Sequence, residues 1–127
     1  MTYPTSARAA YVGNSVSTAS PARLLVMLVE RLVLDVERGL RAQVDGDWPE
    51  AHQQLLHAQD IVNELQASLD VDLMPAGTEL ASLYEYLRRR LVTANVRRDP
   101  DTTHEALLIA RQLCDTWRQA AMAAALS

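Results

Sequence analysis

Three short breaks built from Asp, Gly and Pro govern how this chain can fold: Asp45-Gly46-Asp47, Asp72 to Gly77, and Asp99-Pro100-Asp101. After Ser20 they leave four long stretches, and in the last three of these the apolar residues return at steps of three and four. Between the first two breaks the series is Trp48, Ala51, Leu55, Ala58, Val62, Leu65 and Leu69. At about 100° per residue such a series lies on one narrow stripe of an α-helix, whereas a strand would scatter it over both faces. Leu80, Leu83, Tyr84, Leu87, Leu91 and Ala94 repeat the pattern in the next stretch, and Ala106, Ile109, Ala110, Leu113, Trp117, Ala120 and Ala121 in the last. Composition agrees, since Leu and Ala supply nineteen residues each against four Gly and five Pro.

The helix ends are written in the same residues. Ser20-Pro21 reads as an N-cap followed by a first helical residue that has no N–H to leave unpaired, and the helix it opens runs to about Val44. Asp47 with Glu50 makes a capping-box-like start for a second helix ending near Leu69. A third runs from about Thr78 to Val96, and Thr102 with Glu105 is expected to cap a fourth that reaches the Ala-rich end. The first helix differs from the rest. Arg23, Glu30, Arg31, Glu37, Arg38 and Arg41 share one side, but the apolar arc takes more than half the circumference, and Met27 and Leu34 project into the polar side. Short connections between long helices favour antiparallel neighbours. The expected fold is therefore all-α: an antiparallel up-down four-helix bundle over residues 20–127, preceded by a mobile arm over residues 1–19.

Charge and cysteine narrow the function classes. Twelve Arg and no Lys stand against sixteen Asp and Glu, giving a net charge of -4 and a pI near 5.3. Nucleic-acid binding needs concentrated positive charge, so that class is set aside. The apolar run Leu24–Val29 spans six residues, far short of the roughly 20 needed to cross a bilayer, and no membrane insertion is expected. The N-terminus lacks the basic start and apolar stretch of a secretory signal. A single cysteine, Cys114, cannot form an internal disulfide and suits a reducing, cytoplasmic setting.

Chemistry is sparse on this scaffold. His52 and His57, five residues apart, diverge by about 140° on a helix and cannot grip one metal. No Glu stands three residues before His52, His57 or His104, which excludes a di-iron carboxylate bundle. His57 points away from the core stripe and is open in principle to phosphoryl transfer. Its neighbours Leu56, Ala58 and Gln59 offer no Lys and no small-residue patch, so an ordinary surface histidine is the preferred reading. Asp45-Gly46-Asp47 has no closing Glu at calcium-loop spacing and is a turn. Cys114 has no neighbouring base and reads as a small buried hydrophobe. No enzyme, metal or cofactor is expected.

Two surface features remain. Arg88-Arg89-Arg90 points three ways from a helix, which favours a solvated face with salt bridges to Glu85 and nearby Asp over a docking contact for an acidic partner. Met27, Leu34, Leu56, Ile61, Tyr86, Val92 and Leu108 all fall off the main stripes of their helices. A surplus of that kind marks a partner site or is covered by the arm. Two rival readings stand beside a partner-binding module: a phosphotransfer bundle resting on His57, and a structural bundle that buries its surplus in a homodimer.

The stretches NSVSTASP (Asn14 to Pro21), AQDIVNELQASLD (Ala58 to Asp70), LYEYLRRRLVTAN (Leu83 to Asn95) and LCDTWR (Leu113 to Arg118) resemble, in this order, the flagellin-specific export chaperone family, FliS. Tyr11 matches that family's tyrosine-bearing N-terminal arm. Val29, where the family often has Tyr, and Arg31, where Gly is common, depart from its pattern. The resemblance implies a cytoplasmic, non-catalytic bundle that binds the disordered C-terminal segment of flagellin, blocks premature polymerisation, and docks on the cytoplasmic domain of the flagellar export gate. It also implies an arm that occupies part of the client groove. The residues set against such a client are Tyr11, Val16, Met27, Leu34, Leu56, Gln59, Ile61, Tyr84, Tyr86 and Asn95.

Overall fold

The computed structural model describes residues 20–126 of the 127, and these form four helices: α1 Pro21–Val44, α2 Trp48–Ser68, α3 Gly77–Val96 and α4 Pro100–Leu126. Two starts follow the caps expected from sequence. Ser20 Oγ accepts the Arg23 N–H at 3.2 Å, and Asp47 Oδ1 accepts the Glu50 N–H at 3.2 Å. The Glu50 carboxylate does not reach back, because it holds the Gln54 amide at 2.8 Å instead.

The start of α4 is a correction. The helix opens at Pro100, and the capping group is Asp99 rather than Thr102. Asp99 Oδ1 accepts from Asp101 N at 3.1 Å, and its Oδ2 accepts the Thr102 hydroxyl at 2.8 Å. Pro100 needs no N–H partner at the first helical position, so the helix begins three residues earlier and Thr102 is buried within its first turn. α3 begins at Gly77 behind Ala76, which has a left-handed φ of 60° and makes no side-chain cap bond.

α1 packs chiefly on α2 and α4, and α3 packs on the same two, so α1 and α3 stand diagonally across the bundle. Ion pairs show the antiparallel register. Glu37 meets Arg111 and Glu30 meets Arg118, so seven residues back along α1 is seven forward along α4. Up-down-up-down order follows from the short connections. Each helix gives one face to the core: Val29, Leu32 and Val36 from α1, Leu55, Val62 and Leu65 from α2, Leu87 and Leu91 from α3, Ala106, Ala110 and Leu113 from α4. Each buried Leu or Val contributes on the order of 1.5–3 kcal/mol relative to exposure. α1 and α2 approach closely at Gly39, where a Cβ would lie 2.9 Å from Leu55 Cδ2.

Polar groups inside the bundle are paired. Gln43 is 4% exposed, and its Nε2 donates to the Ala94 carbonyl at 3.0 Å while its Oε1 accepts the Thr103 hydroxyl at 2.6 Å. One side chain of α1 thereby holds the end of α3 and the start of α4. Nearer the other end, Trp117 Nε1 donates to the Tyr84 phenolic oxygen at 3.2 Å. Burial pushes the Tyr84 phenol above its ordinary range, and the Trp117 bond works against that shift.

Candidate functional site

The exposed apolar residues have to be located by the helices that flank them. Between α1 and α4 runs a groove of about 470 Å³, lined by Val33, Leu34 and Cys114 and bounded by Glu30, Glu37, Arg111, Asp115 and Arg118. Two ion pairs cross it as rungs, Glu37 to Arg111 and Glu30 to Arg118, both at 2.9 Å. The bond from Glu30 raises the already high Arg118 pKa. Leu34 stands in this groove, and Met27, one heptad before it on α1, is half exposed. Burial pushes the Cys114 thiol up, which leaves it a poor nucleophile.

Leu56 is 42% exposed on the outer side of α2, in helical register with His52 and Gln59. His52 and Asn95 join α2 to α3 by side-chain contacts of 2.9–3.2 Å between the imidazole Nδ1 and the carboxamide. Further along, Glu85 accepts from Arg88 and from Gln66, and these bonds, with Arg88 first, pull its carboxyl down to about 2. Tyr86, 39% exposed, sits on the α3–α4 side and donates its hydroxyl to Glu105, which also holds Arg90 at 3.0 Å. This hydrogen bond raises the Tyr86 pKa and lowers that of Glu105. Close by, Leu80, Leu83, Leu113 and Trp117 line a shallow apolar hollow of about 260 Å³.

Two sequence expectations fail here on burial. Ile61 is 5% exposed and belongs to the core, because α2 is flanked by two helices and buries an arc wider than its seven-residue stripe. Tyr84 is 2% exposed and cannot meet a partner without opening the bundle, so only its place on the core stripe of α3 stands. Met27, Leu34, Leu56, Gln59, Tyr86 and Asn95 remain at least partly accessible. They do not form one patch: they divide among the α1–α4, α2–α3 and α3–α4 sides. Tyr11 and Val16 lie outside the described residues. The Arg run behaves as a solvated face, with Arg88 and Arg89 on Glu85 and Arg90 on Glu105.

Sequence reasoning missed Asp35, which is fully buried between Arg31 and His57. The signal was there: Asp35 follows Leu32 by three and precedes Gly39 by four, on the buried side of α1. Among the described residues no group of three or more His, Cys, Asp or Glu is arranged to hold a metal ion. No described helix is long and apolar enough to cross a membrane.

Comparison with known proteins decides the family. A family model described as "Flagellar protein FliS" matches residues 4–124. The chain belongs to the FliS family. The flagellar secretion chaperone FliS of Bacillus subtilis (strain 168) is 31% identical over 111 residues, covering 87% of this chain and 83% of that protein. The FliS of Escherichia coli (strain K12) is 29% identical over 117 residues, covering 91% and 86%. A crystal structure of a flagellar chaperone from bacteria superimposes with a TM-score of 0.72 at 20% identity, over 90% of this chain and 94% of that one, and so shares the fold. FliS is a chaperone family of flagellar secretion and not an enzyme family.

Proposed function

We propose that this FliS protein is a cytoplasmic export chaperone that binds the C-terminal segment of flagellin, prevents its premature polymerisation, and delivers it to the flagellar secretion apparatus by docking on the cytoplasmic domain of the export gate. The observation that carries the reading is the distribution of exposed apolar side chains. Met27, Leu56, Tyr86 and Leu108 stand on outer positions of four different helices, each 39–50% exposed. A single rigid partner would need one patch. A disordered segment that becomes helical as it wraps the bundle can use several faces in turn, and it needs that extended apolar contact to offset its ordering entropy. In this reading Gln59 and Asn95 fix register by hydrogen bonds. The arm, residues 1–19 with Tyr11 and Val16, shields part of the surface until the client displaces it.

Isothermal calorimetry with a flagellin C-terminal peptide tests the proposal. Leu56→Asp should weaken binding by about tenfold through loss of apolar contact while helicity persists. Ile61→Asp should instead unfold the bundle, since it places a charge in the core. Full affinity in Leu56→Asp would remove the α2–α3 side from the client surface, and no binding by the unaltered chain would end the reading. Deleting residues 1–17 should raise hydrophobic-dye binding and client affinity together. A free protein that sediments as a dimer at low concentration, with its apolar faces closed to dye, would favour a homodimer as their occupant.

A further inference from the structure

Asp35 and His57 form a unit outside the residues set against the client. Asp35 is 0% exposed, and burying a carboxylate is costly unless both oxygens are paired. They are: Oδ1 takes Arg31 Nε at 2.9 Å, and Oδ2 takes His57 Nδ1 in a short contact. Each partner spends its inner nitrogen. Arg31 Nη1 and Nη2 and His57 Nε2 have no hydrogen-bond partner among the described residues, and both side chains are 51% exposed. With Nδ1–H directed at a carboxylate, a neutral imidazole carries its lone pair on Nε2, on the side away from Asp35.

We propose that His57 is a phosphoryl-acceptor site, with Nε2 as the accepting atom, Asp35 as the group that positions and polarises the ring, and Arg31 as the cation that receives the phosphoryl oxygens. In the step, the Nε2 lone pair forms an N–P bond while the P–O bond of an acyl phosphate breaks and the carboxylate leaves with the bonding electrons. With phosphoramidate the P–N bond breaks instead and ammonia leaves with the electron pair. Nδ1 keeps its proton, so the ring becomes cationic as the bond forms. The buried Asp35 carboxylate, 22 residues away in sequence and fixed on α1, stabilises that developing charge. The guanidinium of Arg31 matches the geometry of phosphoryl oxygens. His52 lacks this arrangement, because its Nδ1 meets the neutral Asn95 carboxamide. Mere exposure does not supply it either: His104 is exposed near the start of α4 and has no carboxylate bonded to its ring among the described residues.

The chain contains three histidines, so two serve as internal controls. The full protein is incubated with acetyl phosphate and, in a second arm, with phosphoramidate, and acid-labile phosphate is located by mass spectrometry and followed by 31P NMR. His57 should label about tenfold or more faster than His52 and His104 in both arms. Asp35→Asn, with its helicity checked, should bring His57 down to the rate of the other two, and Arg31→Gln should slow it less. His57→Gln should abolish the fast phase. Even labelling of the three histidines, or an Asp35→Asn protein that labels as fast as the parent, would overturn the proposal and leave the pair as a contact that only pins α1 to α2. Should Asp35→Asn fail to fold, the ratio of His57 to His52 labelling in Arg31→Gln and in the parent decides alone.

Discussion

Two tight turns at one end of the bundle stop a helix in the same way but with different residues. After α1 the chain runs Asp45-Gly46-Asp47, and after α3 it runs Arg97-Arg98-Asp99. The middle residue of each is left-handed, with φ of 74° at Gly46 and 51° at Arg98. Its N–H bonds back to Gln43 O at 3.1 Å or Asn95 O at 3.3 Å, and the following Asp N–H reaches Ala42 O at 2.8 Å or Ala94 O at 3.0 Å. The same Asp then turns its side chain onto the next helix. The glycine meets nothing, since a Cβ there would have no neighbour within 4 Å. The arginine carries left-handed strain of about 1–2 kcal/mol. In return its guanidinium lies 5.1 Å above the Trp48 ring at the start of α2, a contact worth about 0.5–1 kcal/mol at an exposed site. One turn is only a stop; the other is a stop that also joins two connections.

Gln43 gives the largest test of that difference. Its carbonyl belongs to the first turn, and its side chain holds the helices on either side of the second. Gln43→Ala should cost about 2–3 kcal/mol in urea denaturation, through a cavity and an unpaired Thr103 hydroxyl. A loss below about 1 kcal/mol would mean that the two turns are stabilised independently.

The capping aspartates come next. Asp47→Ala should cost about 1 kcal/mol, the usual value for one N-cap bond. Asp99→Ala should lower the midpoint further, because Asp99 serves both the Asp101 N–H and the Thr102 hydroxyl. Thr102, and then the backbone bonds, hold the Asp99 carboxyl below its ordinary range. Its contribution is therefore complete above the usual Asp value of about 4 and fades as the pH falls through the lowered one. The gap between Asp99→Ala and the parent should accordingly narrow in acid. Equal midpoints for the two alanine variants at neutral pH would show that the second Asp99 bond adds nothing.

These residues also mark where sequence reading succeeds and where it stops. The stripes of α2, α3 and α4 place most of the core, because period and breaks are local properties. Ser20-Pro21 and Asp47 likewise name their own helix starts. Asp99 and Thr102 are both good caps, and only the missing N–H of Pro100 decides between them. Asp35, Gln43 and Thr103 escape the pattern for a different reason. A buried polar residue needs partners to offset its desolvation, and the pairings made with other helices, 22 to 60 residues apart, cannot be read from one stretch of sequence. For Asp35 the periodicity marks the buried position but not His57 as its partner. Ile61 shows the same limit from the apolar side, since the width of a buried arc depends on how many neighbours the helix has. For the surface, periodicity identifies which apolar residues are surplus, but their division over three sides depends on packing.

The smallest effects separate the two left-handed residues themselves. Gly46→Ala adds a methyl group to open space, so its cost of about 1 kcal/mol comes almost wholly from the backbone. Arg98→Gly runs the other way. It relieves the left-handed strain, but it loses the contact over Trp48 and gives the unfolded chain more freedom, and these terms are of similar size. Its stability should therefore lie within about 0.5 kcal/mol of the parent. Arg98→Ala keeps the strain and loses the contact, so it should be the less stable of the two. If Trp48→Leu erases most of the gap between the parent and Arg98→Ala, the ring contact is what retains an arginine where glycine would fit. If the gap survives without the ring, the arginine is held by its charge at the end of α3, and the two turns are more alike than their geometry suggests.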